Sequence, residues 1–287
     1  MKKTIFLTIL LSLVMGIGPL LAQKAPYRIY NAKGKKVSYE KMLRALAKKD
    51  IVLFGELHNN PIAHWLQYEL TGDLYTKGPL VLGAEMIEAD NQGQLDAYLE
   101  GRIDYKALDS TARLWGNHKT DYAPLVDFAR EKKLRFIATN VPRRYAGMVH
   151  KGGGFHALDS LGPLERSWIA PLPIPFDPEL PGYRNIRVMM GDHATPSLVM
   201  AQALKDATMA HFILDHFKPG SLFLHYNGAY HSNHYQGILW YLQQRAPALV
   251  YGTISTVSQE DVHELEQEYL GLADFIICVD IDMTTTY

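Results

Sequence analysis

Short apolar runs alternate with longer stretches of helical spacing along most of this chain. Ile51–Phe54, Leu80–Leu82, Leu134–Ala138, Leu222–His225, Leu249–Ile254 and Phe275–Val279 are too short for helices and largely apolar, so each predicts a buried strand. Between them lie segments with helix-start chemistry. Ser38 offers a cap for a helix over Tyr39–Lys49, and Asn60-Pro61 caps and opens one running to about Leu74. Gln92–Glu100, Ala123–Lys133 and Ser197–Phe217 read as further helices, and Arg102–Lys119 as short helical pieces. Tyr27–Val37 is turn-rich, with Gly34 pointing to a small hairpin. Strand and helix in alternation predict an α/β fold: a mostly parallel sheet of about six strands, flanked by helices.

The rhythm lapses over residues 143–195. Gly152–Gly154 makes a flexible corner, and Pro171, Pro173, Pro175, Pro178 and Pro181 punctuate an extended segment beyond it. That is too long for an ordinary connection, and it predicts a smaller, mainly helical subdomain or lid over the sheet edge.

Composition narrows the class without changing the fold. A net charge of −1 and no basic cluster beyond the pieces at Lys33–Lys36 and Lys48–Lys49 leave no footprint for nucleic acid. At the N-terminus, Lys2 and Lys3 precede the apolar run Ile5–Leu21, and Ala22 precedes Gln23. The pattern predicts a signal peptide over residues 1–22 and a mature chain over 23–287, exported to a periplasm or cell surface. A retained anchor at the membrane surface is the other reading. Cys278 is the sole cysteine, so no disulfide closes within the chain, and Gln23 leaves the cleavage point without a lipid-accepting thiol.

The strand ends carry the chemistry. Glu56 and His58 follow the first clear strand, Glu85 the next, Asn140 the third and His231 the fourth. In an open parallel sheet all carboxyl ends share one edge, where ligands bind. Two ends have the same spacing, Gly55-Glu56-Leu57-His58 and Gly228-Ala229-Tyr230-His231: a glycine turns the chain and a histidine lands three residues on. A lone histidine is more often a satisfied core group, and Glu56 is as suited to capping the helix at Pro61. A carboxylate at the end of a buried strand, however, needs a partner. Catalytic candidates are therefore Glu56, His58, Glu85, Asn140 and His231. His58, Glu85 and His231 also form a candidate set for a divalent metal such as Zn or Mn. His64 and Gln67 share the first helix near this edge, and Gln202, Asp206 and Met209 are spaced for one helix face.

Five motifs carry a family resemblance. FGELHNNPIAHWLQ at Phe54–Gln67, GAEMIEADNQ at Gly83–Gln92, ATNVPRRYA at Ala138–Ala146, AQALKDATMAHFI at Ala201–Ile213 and YNGAYHSNHYQGI at Tyr226–Ile238 occur in order across nearly the whole mature chain. Together they resemble the ChaN family of haem-binding uptake proteins, within the wider Tiki and erythromycin-esterase-like group. The resemblance implies an exported, often lipid-anchored α/β protein that binds haem at a dimer interface. It also implies that relatives in the wider group use the paired Gly-x-x-His motifs with carboxylates for hydrolysis, some with a divalent metal.

Two functions are expected from these readings. In the first, the chain is an exported haem carrier assisting haem or iron uptake, a homodimer that works with envelope haem-uptake components. Haem needs apolar walls, cations for its propionates and an axial ligand. The lid supplies aromatic, Met and His side chains, from which Tyr183 and His193 are singled out as ligands, with Arg143 for a propionate. No Cys-x-x-Cys-His is present, so attachment would be non-covalent. In the second, it is a metal-dependent or His/Glu-dependent hydrolase of esterase or peptidase type.

Overall fold

The structure, a computed structural model, describes residues 24–191 and 195–287. The signal peptide expected over residues 1–22, and His193, lie outside the described residues. The strands are β1 (Tyr27–Asn31), β2 (Ile51–Glu56), β3 (Leu80–Glu88), β4 (Phe136–Asn140), β5 (Leu222–Gly228), β6 (Tyr251–Gln259) and β7 (Phe275–Asp280). They form one sheet in the order β1-β7-β6-β2-β5-β3-β4. Every pairing is parallel except β1 on β7. The sheet thus has seven strands rather than about six. The additional strand is Tyr27–Asn31, whose sequence reads as half of a hairpin. A single bridge does join Tyr30 to Lys36, but the strand's ladder runs along β7.

The helices are α1 (Tyr39–Leu46), α2 (Pro61–Tyr75), α3 (Gln92–Leu99), α4 (Tyr105–Thr111), α5 (Ala123–Lys132), α6 (Arg143–Lys151), α7 (Pro163–Arg166), α8 (Pro181–Met190), α9 (Pro196–His216) and α10 (Ile238–Arg245). Both caps read from sequence are made: Ser38 Oγ accepts from Lys41 N, and Asn60 Oδ1 from Ala63 N at 3.0 Å. The region between β4 and α9, where the strand–helix rhythm stops, is built of α6, α7, α8 and a short turn at Phe155–Leu158.

Side chains of a strand alternate between sheet faces, and the continuous apolar runs fill both. Val52, Phe54, Leu82 and Leu224 join a core with Leu66 and Leu70 of α2, Leu95 of α3 and Leu125 of α5. Their neighbours Ile51, Leu53, Val81 and Phe223 join Val149 of α6, Leu204 and Ala207 of α9, and Leu242 of α10. Helices therefore cover the sheet on both sides, and the open part of the molecule is the edge where the parallel strands end.

The topology puts one junction at the centre of that edge. The chain passes from β2 across to β3 and β4, then returns through α9 to lay β5 between β2 and β3. The carboxyl ends of β2, β5 and β3 are thereby side by side at a switch of chain direction, the position where open α/β sheets bind ligands. Close packing under β3 depends on Gly83. An added Cβ there would come within 2.8 Å of the Phe223 ring and 3.2 Å of Thr139. Gly83→Ala is expected to lower stability by about 1–3 kcal/mol, the usual range for overpacking, read as a lower denaturant midpoint with an unchanged slope.

Candidate functional site

Glu56 ends β2 on the same sheet face as Val52 and Phe54, toward α2. It is 1% exposed, and three donors meet its carboxylate. Tyr122 Oη donates to Oε1 at 2.7 Å, Gln67 Nε2 to Oε2, and His58 Nδ1 lies 2.9 Å from Oε1. His64 Nε2 is 3.1 Å from the carbonyl of His58, which also accepts from Asn117 Nδ2 at 3.2 Å. The turn after β2 is thus held at side chain and backbone. With Nδ1–H given to Glu56, the Nε2 of His58 faces away, against Gly228: an ideal Cβ at Gly228 would sit 2.7 Å from it. The second Gly-x-x-His glycine is therefore required for contact with the first motif's histidine. The His58 side chain is 33% exposed. Burial disfavours its charged form, but the Glu56 hydrogen bond and then the Glu85 charge outweigh this and raise its pKa.

Glu85 points to the opposite face, toward α9, where the register of β3 on β4 shifts between Ala84 and Glu88. Its Oε2 accepts the backbone N–H of Gly228 at 2.8 Å, and its Oε1 lies 3.1 Å from His231 Nε2. The other ring nitrogen, Nδ1, lies 2.5 Å from Asp206 Oδ1, and Tyr183 Oη donates to Asp206 Oδ2 at 2.9 Å. All four groups are buried. A histidine with a carboxylate on each ring nitrogen donates from both and is an imidazolium. Burial opposes that charge, but Glu85 and then Asp206 overcome it and push His231 up to about 10. Burial likewise works to raise Glu85, yet the His231 charge and hydrogen bond hold it below the ordinary carboxylate range. Asp206, with burial dominant, is raised. Gly237 lets this pack: at φ +55° it lies against the His231 carbonyl and Asp206, where no Cβ fits.

The two motifs that match in spelling differ in role. His231 is a fixed buried cation; His58 is partly exposed, oriented by a carboxylate, and presents a ring nitrogen toward the edge. Both border a cleft of about 1350 Å³ that also takes in Glu56, Glu85, Asn140, Gln202 and Tyr230, with Met189 and Met190 of α8 on its far rim. All five catalytic candidates line it, as does Arg143. Asn140 is 8% exposed, and its amide oxygen has no hydrogen-bond partner.

Two expectations change against this geometry. The expected metal set His58, Glu85 and His231 gains no support, since both ring nitrogens of His231 meet carboxylates. Among the described residues no group of three or more His, Cys, Asp or Glu side chains is disposed to hold a metal ion. Tyr183 is 3% exposed and its hydroxyl is committed to Asp206, with its pKa raised by burial and by that carboxylate. It supports the buried cluster rather than facing the cleft as an iron ligand. The spacing of Asp206 gives it a helix face but no partner, although its position on the helix leading into β5 is the available signal. Tyr122 and Asn117 carry no signal in the sequence; they reach Glu56 and His58 from an irregular turn.

Fold and edge together define an open α/β protein with a carboxylate–histidine cleft at its strand ends. The chain belongs to the family described as haem-binding uptake, Tiki superfamily, ChaN, whose model matches residues 42–242. No curated protein sequence matches it. Among solved structures it is similar to one described as cofacial heme binding to ChaN of Campylobacter jejuni, at 19% identity and a TM-score of 0.65. That match covers 88% of this chain and 97% of the other. It is also similar to a succinoglycan biosynthesis protein, at 11% identity and a TM-score of 0.52, covering 89% and 94% of the two chains. At these identities the likenesses describe the fold.

The buried triad makes two expectations. His231→Ala strands two buried carboxylates without their cation and should destabilise the protein by about 3–5 kcal/mol, read by chemical denaturation. Because the folded-state pKa of His231 is raised to about 10, its contribution is complete below the unfolded value near 6.5 and is lost as pH rises toward 10. The stability gap between wild type and His231→Gln should therefore narrow between pH 7 and pH 10; a constant gap would mean that the ring is neutral.

Proposed function

We propose that this chain is an exported haem-binding protein that serves haem or iron uptake and holds haem non-covalently in the cleft between α8 and the strand ends. The observation that carries the reading is membership of the ChaN haem-binding uptake family over residues 42–242. The cleft supports it. Met189 and Met190 at the end of α8 line the cleft and are 72% and 43% exposed, and Val188, outside the cleft lining, is 79% exposed; together they make an apolar ridge left largely uncovered among the described residues. Tyr230, 40% exposed, also lines the cleft, and its hydroxyl donates to the carbonyl of Gly182 in the first turn of α8 at 2.9 Å. Ridge and the Arg143 guanidinium supply the apolar wall and a propionate partner. We extend the proposal to a homodimer whose second copy covers the α8 ridge, and to a periplasmic or cell-surface location with envelope uptake components as partners. The export pattern at Lys2–Leu21 supports that location.

Haemin added to the purified protein should give a saturable Soret shift; a spectrum that only sums free haemin and protein would sink the proposal. Replacing Val188, Met189 and Met190 together by serine should weaken haemin binding at least ~10-fold, since each buried aliphatic side chain contributes about 1.5–3 kcal/mol.

One observation favours a second reading. His58 is held by Glu56 through Nδ1 and offers Nε2 to the cleft, the arrangement of a general base with its orienting carboxylate. In this reading His58 activates water against an ester or amide, and the His231 cation holds Glu85 in place beside it. If ester or peptide cleavage is found, His58→Ala should reduce it about 10²–10⁴-fold without impairing haemin binding.

A further inference from the structure

The amino terminus of α6 is built differently from those of α1, α2 and α9. Those begin on Ser38, Asn60 and Thr195, each of which accepts a backbone N–H. The cap of α6 is Pro142, which has no side chain able to do so. Among the described residues, nothing accepts from the N–H groups of Arg143 and Arg144. The helix is nine residues long, so its dipole and free amides present partial positive charge where the chain leaves β4.

A buried polar group converges on the same place. Asn140, two residues before the cap, is 8% exposed and lines the cleft, and its amide oxygen lacks any partner. The amide nitrogen makes no hydrogen bond among the described residues and, unlike the oxygen, is not enclosed, so its two N–H donors are left for the cleft.

The third component is charge. Arg143 is exposed, lines this cleft and also the neighbouring one beside Trp115 and Met148. Its sequence neighbour Arg144 is tied to Asp90 at 2.6 Å, whereas none of the described residues forms an ion pair with Arg143. Three carboxylates at this edge are already engaged, and Glu268, which also lines the cleft, makes no ion pair among the described residues. Asp90 takes Arg144 and Arg113, Glu88 takes Arg113 at 3.0 Å, and Glu85 takes His231 and the Gly228 amide. None of those three is left to neutralise Arg143.

We propose that Asn140, the free amides at the start of α6 and the Arg143 guanidinium form a cradle for one carboxylate of the ligand that occupies the cleft. This deepens the haem reading by assigning a propionate to the cradle, but the cradle itself requires only a carboxylate. The product acid of a hydrolytic reaction is the other source with the same chemistry. A guanidinium takes a carboxylate in a bidentate, charge-assisted pair, and backbone amides at a helix start complete its coordination.

Two arms test it on the full chain. In the first, ¹⁵N-labelled protein is titrated with succinate, with uncharged succinamide as control. Succinate should move the backbone resonances of Arg143 and Arg144 and the side-chain amide of Asn140 saturably. Arg143→Ala should weaken the apparent affinity about 10-fold and Asn140→Ala by several-fold, with the melting temperature of the Arg143 variant unchanged because that side chain is exposed. Absence of saturable shifts, equal shifts with succinamide, or unaltered affinity in Arg143→Ala overturns the cradle.

The second arm compares haemin with haemin dimethyl ester by the Soret shift. A preference for haemin of about 10-fold that falls to near parity in Arg143→Ala makes the propionate the carboxylate in question. Equal binding of the two by wild type, with the succinate response intact, assigns the cradle to a different acid. Failure of both porphyrins to bind overturns the haem reading alone, and the succinate arm still decides the cradle.

Discussion

The edge of this sheet depends on one ion cluster, the imidazolium of His231 between Glu85 and Asp206. A carboxylate at the end of a central strand, buried on both sides, is unfavourable by several kcal/mol unless a cation and further donors meet it. Each partner here comes from a different element. The Gly228 amide comes from β5, the ring from the turn beyond it, and the second carboxylate from α9. The cluster therefore forms only if β5 lies between β2 and β3 and α9 packs behind them. The topology that makes the cleft and the charge balance that makes it stable are the same requirement.

That requirement divides the labour between two histidines. His231 gives both ring nitrogens to carboxylates, so it supplies fixed charge and no lone pair. His58 gives one nitrogen to Glu56 and keeps the other at the cleft, over a glycine whose lack of a side chain makes room for it. Tyr183 extends the fixed side of this arrangement: through Asp206 it ties α8 to the cluster, so the helix carrying the apolar ridge is anchored at one end by the buried charges. A second phenol, Tyr230, donates to the Gly182 carbonyl and joins the start of α8 to the turn beyond β5 as well.

Much of this is legible in the sequence, for identifiable reasons. Apolar runs ending in Gly-Glu or Gly-x-x-His declare both a strand and its carboxyl end, and capped prolines declare helix starts. The parallel sheet, and the gathering of Glu56, His58, Glu85, Asn140 and His231 at one edge of it, can therefore be read directly. Strand β1 cannot, because its antiparallel ladder lies on β7, almost the whole chain away, and its only local signal is turn-like. Nor can the roles. The two matched spacings are identical on paper, and the difference between them is which carboxylate arrives from a distant element: Asp206 from α9 for one, none beyond Glu56 for the other. Tyr183 escapes for the same reason, since a tyrosine flanking a lid gives no hint that Asp206 waits beneath it.

A haem carrier does not obviously need such a polar floor, and the cleft's two walls show how the demands are compatible. Met189 and Met190 on α8 offer apolar surface, whereas the strand-end wall is a dense hydrogen-bonded layer with its cations at defined points. A ligand lying between such walls is oriented by contrast: its flat apolar part goes to α8, and its acids go where a cation is uncommitted. The buried cluster keeps Glu85 and Asp206 occupied, so they neither repel those acids strongly nor compete for Arg143. In the proposed haem-binding role the stretch that resembles catalytic machinery would also serve as a binding floor. It holds the charges of the edge in balance and leaves Arg143, at the start of α6, and Lys205, on α9, as positive charges on the cleft wall with no ion pair among the described residues.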